Sequence, residues 1–140
     1  MPNTTDPLLV VEDDPNDLFM LQRALTAANI TLPQHVALNG EEAINYLSSQ
    51  GRFADRSAFP IPQAVLLDLK MPFVGGFEVL EWMRSRPELS AVPVFVLTGS
   101  CVERDRERAL ALGARAYLVK PATPEVLAEV LCRSTPVARS

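Results

Sequence analysis

Leu8-Leu9-Val10-Val11-Glu12-Asp13-Asp14-Pro15 sets four large apolar residues directly against three acids and a proline. An apolar run with no polar alternation reads as a strand buried on both faces, as in a parallel sheet covered by helices. The acids mark its carboxyl end, and Pro15 suits the first turn of a helix, where the missing amide costs nothing. Beyond it, Leu18, Leu21, Leu25 and Ala28 recur at helical spacing, which predicts a helix over 15–28.

The same unit recurs along the chain. Strands are expected at 8–11, 35–38, 64–67, 94–97 and 116–119, with helices at 15–28, 41–49, 76–84, 103–112 and 124–132. Regular alternation of this kind gives an α/β domain with a mostly parallel sheet. Segment 50–63, with Gly51, Pro60 and Pro62, exceeds the usual connection of about two to six residues and reads as a tolerated surface insertion.

The 140 residues, 48% hydrophobic and 21% charged, suffice for one domain with a Leu/Val/Ala core and are too apolar for a disordered chain. Apolar runs such as 92–97 fall far short of the roughly 20 residues of a bilayer span. The start, Met1 to Pro7, lacks the basic residue and apolar centre of a signal peptide, so a cytoplasmic location is expected. A net charge of −4 excludes a mainly electrostatic binder of nucleic acid or anionic membrane. Cys101 and Cys132 share no short spacing, and with His35 the single histidine no zinc cluster can form; both thiols are expected free. His35, at the start of the second strand, reads as a surface residue.

The informative polar residues stand just past the strands: Glu12, Asp13 and Asp14 after the first, Asp68 after the third, Thr98 after the fourth and Lys120 after the fifth. In open α/β sheets ligands bind outside the carboxyl ends, where the strand order reverses; for the order 2-1-3-4-5 that is between the first and third strands. Acids from both strands then share one crevice, and they cannot all stay ionised without a cation. Lys120 is one such cation. A divalent metal held by carboxylates, a carbonyl and retained waters is another, which suits magnesium or manganese. Carboxylate, metal, lysine and the Thr98 hydroxyl together describe phosphoryl transfer onto a carboxylate. Asp68, alone after its strand, is the expected nucleophile, whereas the cluster Glu12–Asp14 can supply the metal ligands; Asp14, before Pro15, also suits the cap of the following helix. Lys70 and Lys120, the only lysines among thirteen basic residues, both lie just beyond a strand, where a compact point charge matters.

Four motifs in order, Leu8 to Asp14, Leu66-Leu67-Asp68-Leu69-Lys70-Met71-Pro72, Val96-Leu97-Thr98-Gly99 and Tyr117-Leu118-Val119-Lys120-Pro121, resemble those of the receiver domains of two-component response regulators. Gly75-Gly76 and Gly113-Ala114 fit the same pattern. The resemblance implies a flavodoxin-like (βα)5 fold, doubly wound with strand order 2-1-3-4-5, as one receiver domain with its core at about 7–133. It implies that Asp68 accepts a phosphoryl group from a histidine kinase. Mg²⁺ would be bound by Asp13, Asp68 and the backbone carbonyl of Lys70, with Glu12 acting through water. Lys120 would contact the phosphoryl group, the Lys120–Pro121 peptide would be cis, and Thr98 with Tyr117 would form the switch pair. Lys70 and Ser100 occupy the family's variable tuning positions.

Asp14-Pro15-Asn16-Asp17 and the insertion around Gly51 to Arg56 resemble the stand-alone response regulators of cyanobacterial and bacterial phytochromes. The expected partners are therefore a histidine kinase, such as a bacteriophytochrome, or a phosphotransfer protein, and a downstream protein. Only 134–140 follow the last helix, so no output domain is expected. Arg104, Arg106 and Arg108 form a charged face on the fourth helix, either solvated or a partner surface, and a homodimer through that side is left open. Turnover as an aspartyl-phosphate phosphatase would need a second acid where Lys70 stands, so no enzyme beyond metal-dependent self-phosphorylation and dephosphorylation is expected. A flavodoxin-type cofactor site would place a phosphate against Glu12–Asp14, which repel it. A phosphorylation-independent receiver-like scaffold is the remaining alternative.

Overall fold

The computed structural model describes residues 6–134, with side chains described from 6 to 131. Five strands, β1 (Leu8–Val11), β2 (Gln34–Ala37), β3 (Ala64–Leu67), β4 (Val94–Thr98) and β5 (Ala116–Val119), alternate with α1 (Pro15–Ala27), α2 (Gly40–Leu47), α3 (Gly76–Arg84), α4 (Glu103–Ala111) and α5 (Pro124–Ser134). All strand pairs are parallel and the order is β2-β1-β3-β4-β5. Asp14 caps α1, its Oδ1 accepting from the amides of Asn16 (2.8 Å) and Asp17 (3.3 Å).

Alternate residues of β1, β3, β4 and β5 feed two cores. Leu8 and Val10 pack with Leu21 and Leu25 of α1 and Leu127 and Leu131 of α5; Leu9 and Val11 pack with α2 and α3 on the other face. The three inner strands are buried throughout, as their unbroken apolar runs require. The expectation of burial on both faces fails at the edges: β2 and β5 are largely half-buried, because each has a neighbour on one side only. The β2 boundary also lies one residue earlier than expected, at Gln34.

His35 is half-buried rather than a bare surface residue. Its ring lies 5.3 Å from that of Phe59 and 5.7 Å from that of Tyr46, and Nδ1 is 2.8 Å from the Tyr46 hydroxyl. That hydroxyl donates to the Pro60 carbonyl at 3.0 Å, so His35 donates to Tyr46 in turn. Burial pushes the Tyr46 phenol up to about 12 and the His35 imidazole below its ordinary 6.5. The depressed value means that this stabilisation is present above pH 6.5 and is lost as the pH falls through the folded-state value. Because His35 is the only histidine, an NMR titration of its ring protons reads this directly: a midpoint below 6.5 is expected, and one at or above 6.5 contradicts the packing.

The same cluster revises the reading of segment 50–63. Phe53, in a short 3-10 turn (Gly51–Phe53), is buried against Tyr46 and Phe59. The Arg56 guanidinium donates to the carbonyls of Tyr46, Leu47 and Phe59 at 2.7–3.0 Å, closing the carboxyl end of α2. The segment is part of the core rather than a merely tolerated insertion. Cys101 is exposed and free, and Arg108 is engaged by Glu81 (3.4 Å) and the Phe77 ring. The Cys132 side chain and residues 135–140 lie outside the described residues.

Phe73, in the loop between β3 and α3, is 96% exposed at φ 64°. A left-handed conformation costs a residue with a Cβ roughly 1 kcal/mol, and no packing offsets it here. Phe73→Asn, which tolerates that region, is expected to stabilise the protein by about 1 kcal/mol in urea unfolding; a loss of stability would mean that Phe73 packs.

Candidate functional site

Strand register assembles the site. Val11 pairs with Leu67, so the next residues, Glu12 and Asp68, emerge side by side; Thr98 pairs with Val119, which places Lys120 one step beyond. Backbone bonds fix each root: Glu12 N–H to the Ala37 carbonyl, Asp68 N–H to that of Val11 and Lys120 N–H to that of Thr98. Gly76 permits the close approach of α3, since a Cβ there would collide with the Asp68 carbonyl oxygen.

Glu12 and Asp68 are 4% and 5% exposed, whereas Asp13 is exposed at the rim. One carboxylate oxygen from each lies within 4.8 Å of the others. The Lys120 ammonium donates to Glu12 Oε1 (2.6 Å), Asp17 Oδ2 (2.7 Å) and Asp68 Oδ2 (3.1 Å), while Asp68 Oδ1 accepts from the Lys70 amide at 3.2 Å. Burial pushes the Glu12 carboxyl above its ordinary value, against the pull of Lys120. Burial alone would lower Lys120, but the bonds to Asp17 and Glu12 and the Asp68 charge outweigh it and hold the lysine well above its ordinary value.

A crevice of about 650 Å³, bounded by Asp13, Lys70, Ser100 and Lys120 among others, opens over these groups. Three hard oxygen donors with open space for water match an Mg²⁺-like ion that binds few protein ligands. Thr98 is wholly buried and does not line this crevice; its Oγ1 faces the Ser100 amide at 3.4 Å. The Tyr117 ring packs against the core, and its hydroxyl donates to the Ser100 carbonyl at 2.9 Å. Lys120–Pro121 is cis. Asp17, read in the sequence only within the motif Asp14 to Asp17, is a further site residue: the fold brings it to Lys120, which nothing in its position in the sequence signals.

Among the described residues no helix is long and apolar enough to cross a membrane. Residues 8–131 match the response regulator receiver domain family. The probable methanogenesis regulatory protein FilR2 of Methanothrix harundinacea is 34% identical over 86% of this chain and 75% of its own. Response regulator Rcp1 of Synechocystis sp. is 33% identical over 84% of this chain and 78% of its own. The structure of the Mn²⁺-bound form of Rcp1 aligns with a TM-score of 0.80 at 28% identity, over 96% of this chain and 97% of that one. The bacteriophytochrome response regulator RtBRR aligns with a TM-score of 0.85 at 34% identity, over 98% of this chain and 81% of its own. Two buried carboxylates paired with a captive lysine, on five parallel strands in this order, agree with that match, and the chain belongs to the response regulator receiver domain family.

Proposed function

We propose that this protein is a phosphorelay response regulator, a single receiver domain with its core at about 7–133, in which Asp68 accepts a phosphoryl group. The observation that carries the reading is the Lys120 ammonium held between the buried carboxylates of Glu12 and Asp68, next to a third acid. An Asp68 carboxylate oxygen attacks phosphorus; the new O–P bond replaces the P–N bond of a phosphohistidine donor, whose electron pair returns to nitrogen, and the imidazole, protonated on its other ring nitrogen, leaves neutral. Lys120 stays charged at any physiological pH and offsets the charge that collects on the phosphoryl oxygens. Glu12, Asp13, Asp68 and the backbone carbonyl of Lys70 would hold Mg²⁺, a reading supported by the Mn²⁺-bound form of the relative Rcp1. When bound, the ion neutralises carboxylate charge and polarises a phosphoryl oxygen.

Thr98 and Tyr117, which both face Ser100, are suited to relay the change to the α4 and β5 side, where a downstream protein or a second copy would read it. The phytochrome-associated relative supports a bacteriophytochrome kinase as donor, with a phosphotransfer protein as the other source; the cytoplasm is the proposed place of the exchange. The chemistry amounts to metal-dependent self-phosphorylation and dephosphorylation, with no substrate turnover.

Incubation with acetyl phosphate and Mg²⁺ is expected to add one phosphoryl group by intact mass, labile to base and to hydroxylamine as an acyl phosphate is, and a chelator should prevent it. Asp13→Asn should raise the Mg²⁺ concentration needed by roughly tenfold, through the loss of one charged ligand. Full labelling without a divalent ion would overturn the proposal.

A further inference from the structure

The chain's two lysines beyond strand ends are held very differently. Lys120 is locked among three carboxylates, whereas the Lys70 side chain is 67% exposed and its ammonium lies 3.7 Å from Asp105 Oδ2, on the first turn of α4. Yet the root of Lys70 is fixed beside Asp68, because its amide donates to Asp68 Oδ1. The same Asp105 oxygen accepts the Ser100 hydroxyl at 2.8 Å, and the Ser100 Oγ accepts the Val102 amide at 3.3 Å. Tyr117 donates to the Ser100 carbonyl. One carboxylate thus ties the loop after β3 to the loop after β4, and at one remove to β5.

We propose that Asp105 is a positioning residue that holds Lys70 away from Asp68 and yields it when Asp68 carries a phosphoryl group. This rests on the reading of Asp68 as the phosphoacceptor. A long, exposed, loosely paired lysine is held weakly. A phosphoryl group on Asp68 replaces its single carboxylate charge with up to two, spread over oxygens next to the root of Lys70 that can take a short, charge-assisted bond. Lys70 then exchanges Asp105 for the phosphoryl oxygens. Asp105, relieved of one of its two partners, no longer joins the β3 loop to Ser100, so the loop that Tyr117 contacts is released by the same event. Asp105 and the phosphoryl group therefore compete for one ammonium.

The experiment is a calorimetric titration of the full chain with beryllofluoride, a stand-in for a phosphoryl group on a carboxylate, in saturating Mg²⁺. Asp105→Asn keeps shape and the acceptor for Ser100 but removes the charge; it is expected to tighten binding about threefold, the scale of an exposed ion pair. Lys70→Met keeps the backbone carbonyl and should weaken binding roughly tenfold. With Met at position 70, Asp105→Asn should change nothing, and Asp105→Glu should bind as the wild type does. A merely structural Asp105 would act equally with or without the lysine. Wild type that binds beryllofluoride while Asp105→Asn is unchanged, or acts the same beside Lys70→Met, overturns this inference alone. Wild type that binds none overturns the phosphoacceptor reading and this inference with it.

Discussion

Asp68→Asn is expected to reduce labelling by acetyl phosphate to background while leaving the fold in place. An amide oxygen is a poor nucleophile, so the O–P bond does not form. Asn keeps the shape of the side chain and an oxygen for the Lys70 amide, and the backbone carbonyl that Gly76 approaches is unchanged. It also removes one of three acids whose oxygens gather within 4.8 Å, so the lost bond to Lys120 is offset by reduced repulsion. Stability in urea should therefore change by no more than about 1 kcal/mol, the net worth of one hydrogen bond. Equal labelling of wild type and variant would place the acceptor elsewhere.

Lys120→Met should have the largest effect on stability. It removes the ammonium that serves Glu12, Asp17 and Asp68 at once and leaves two buried carboxylates facing each other. Breaking a buried ion pair costs about 3–5 kcal/mol; the open crevice puts this case near the lower end, about 3 kcal/mol. The sign of the pH dependence follows from Glu12, already raised by burial and raised further once its lysine is gone. A carboxyl whose folded-state value exceeds its unfolded value stabilises fully below the unfolded value, and that contribution is lost as the pH rises through the folded one. The deficit should thus be smaller near about pH 5 than at neutral pH, and urea unfolding at both checks it. Mg²⁺ should stabilise the variant more than the wild type, since the ion replaces the missing cation. A deficit that neither acid nor metal relieves would mean that Lys120 acts through its stem rather than its charge.

Much of this was legible in the residues because it depends on short-range pattern. Apolar runs ending in Glu12, Asp68 and Lys120 placed strands 8–11, 64–67 and 116–119 at the observed bounds, and with them the carboxyl edge of the sheet. Asp14 announced its cap through the proline after it. What could not be read was contact between elements distant in sequence. Asp17 reaches Lys120 only because α1 starts at the sheet's turning point, and Asp105 meets Lys70 only because α4 starts beside the loop after β3. The role of 50–63 was hidden for the same reason: Phe53, Arg56 and Phe59 look like loop residues until Tyr46 and His35 are folded against them. Half-burial of β2 and β5 follows from edge position, which apolar content alone does not encode.

The measurement that bears most directly on the central claim locates the phosphoryl group by chemistry. Wild-type protein labelled with acetyl phosphate and Mg²⁺ is reduced with borohydride, which converts an aspartyl phosphate to homoserine, then digested and sequenced by mass spectrometry. Homoserine at position 68 and at no other acid is the predicted result. Homoserine at Asp13 or Asp17, or a phosphoryl group on a residue that borohydride leaves untouched, would contradict the account.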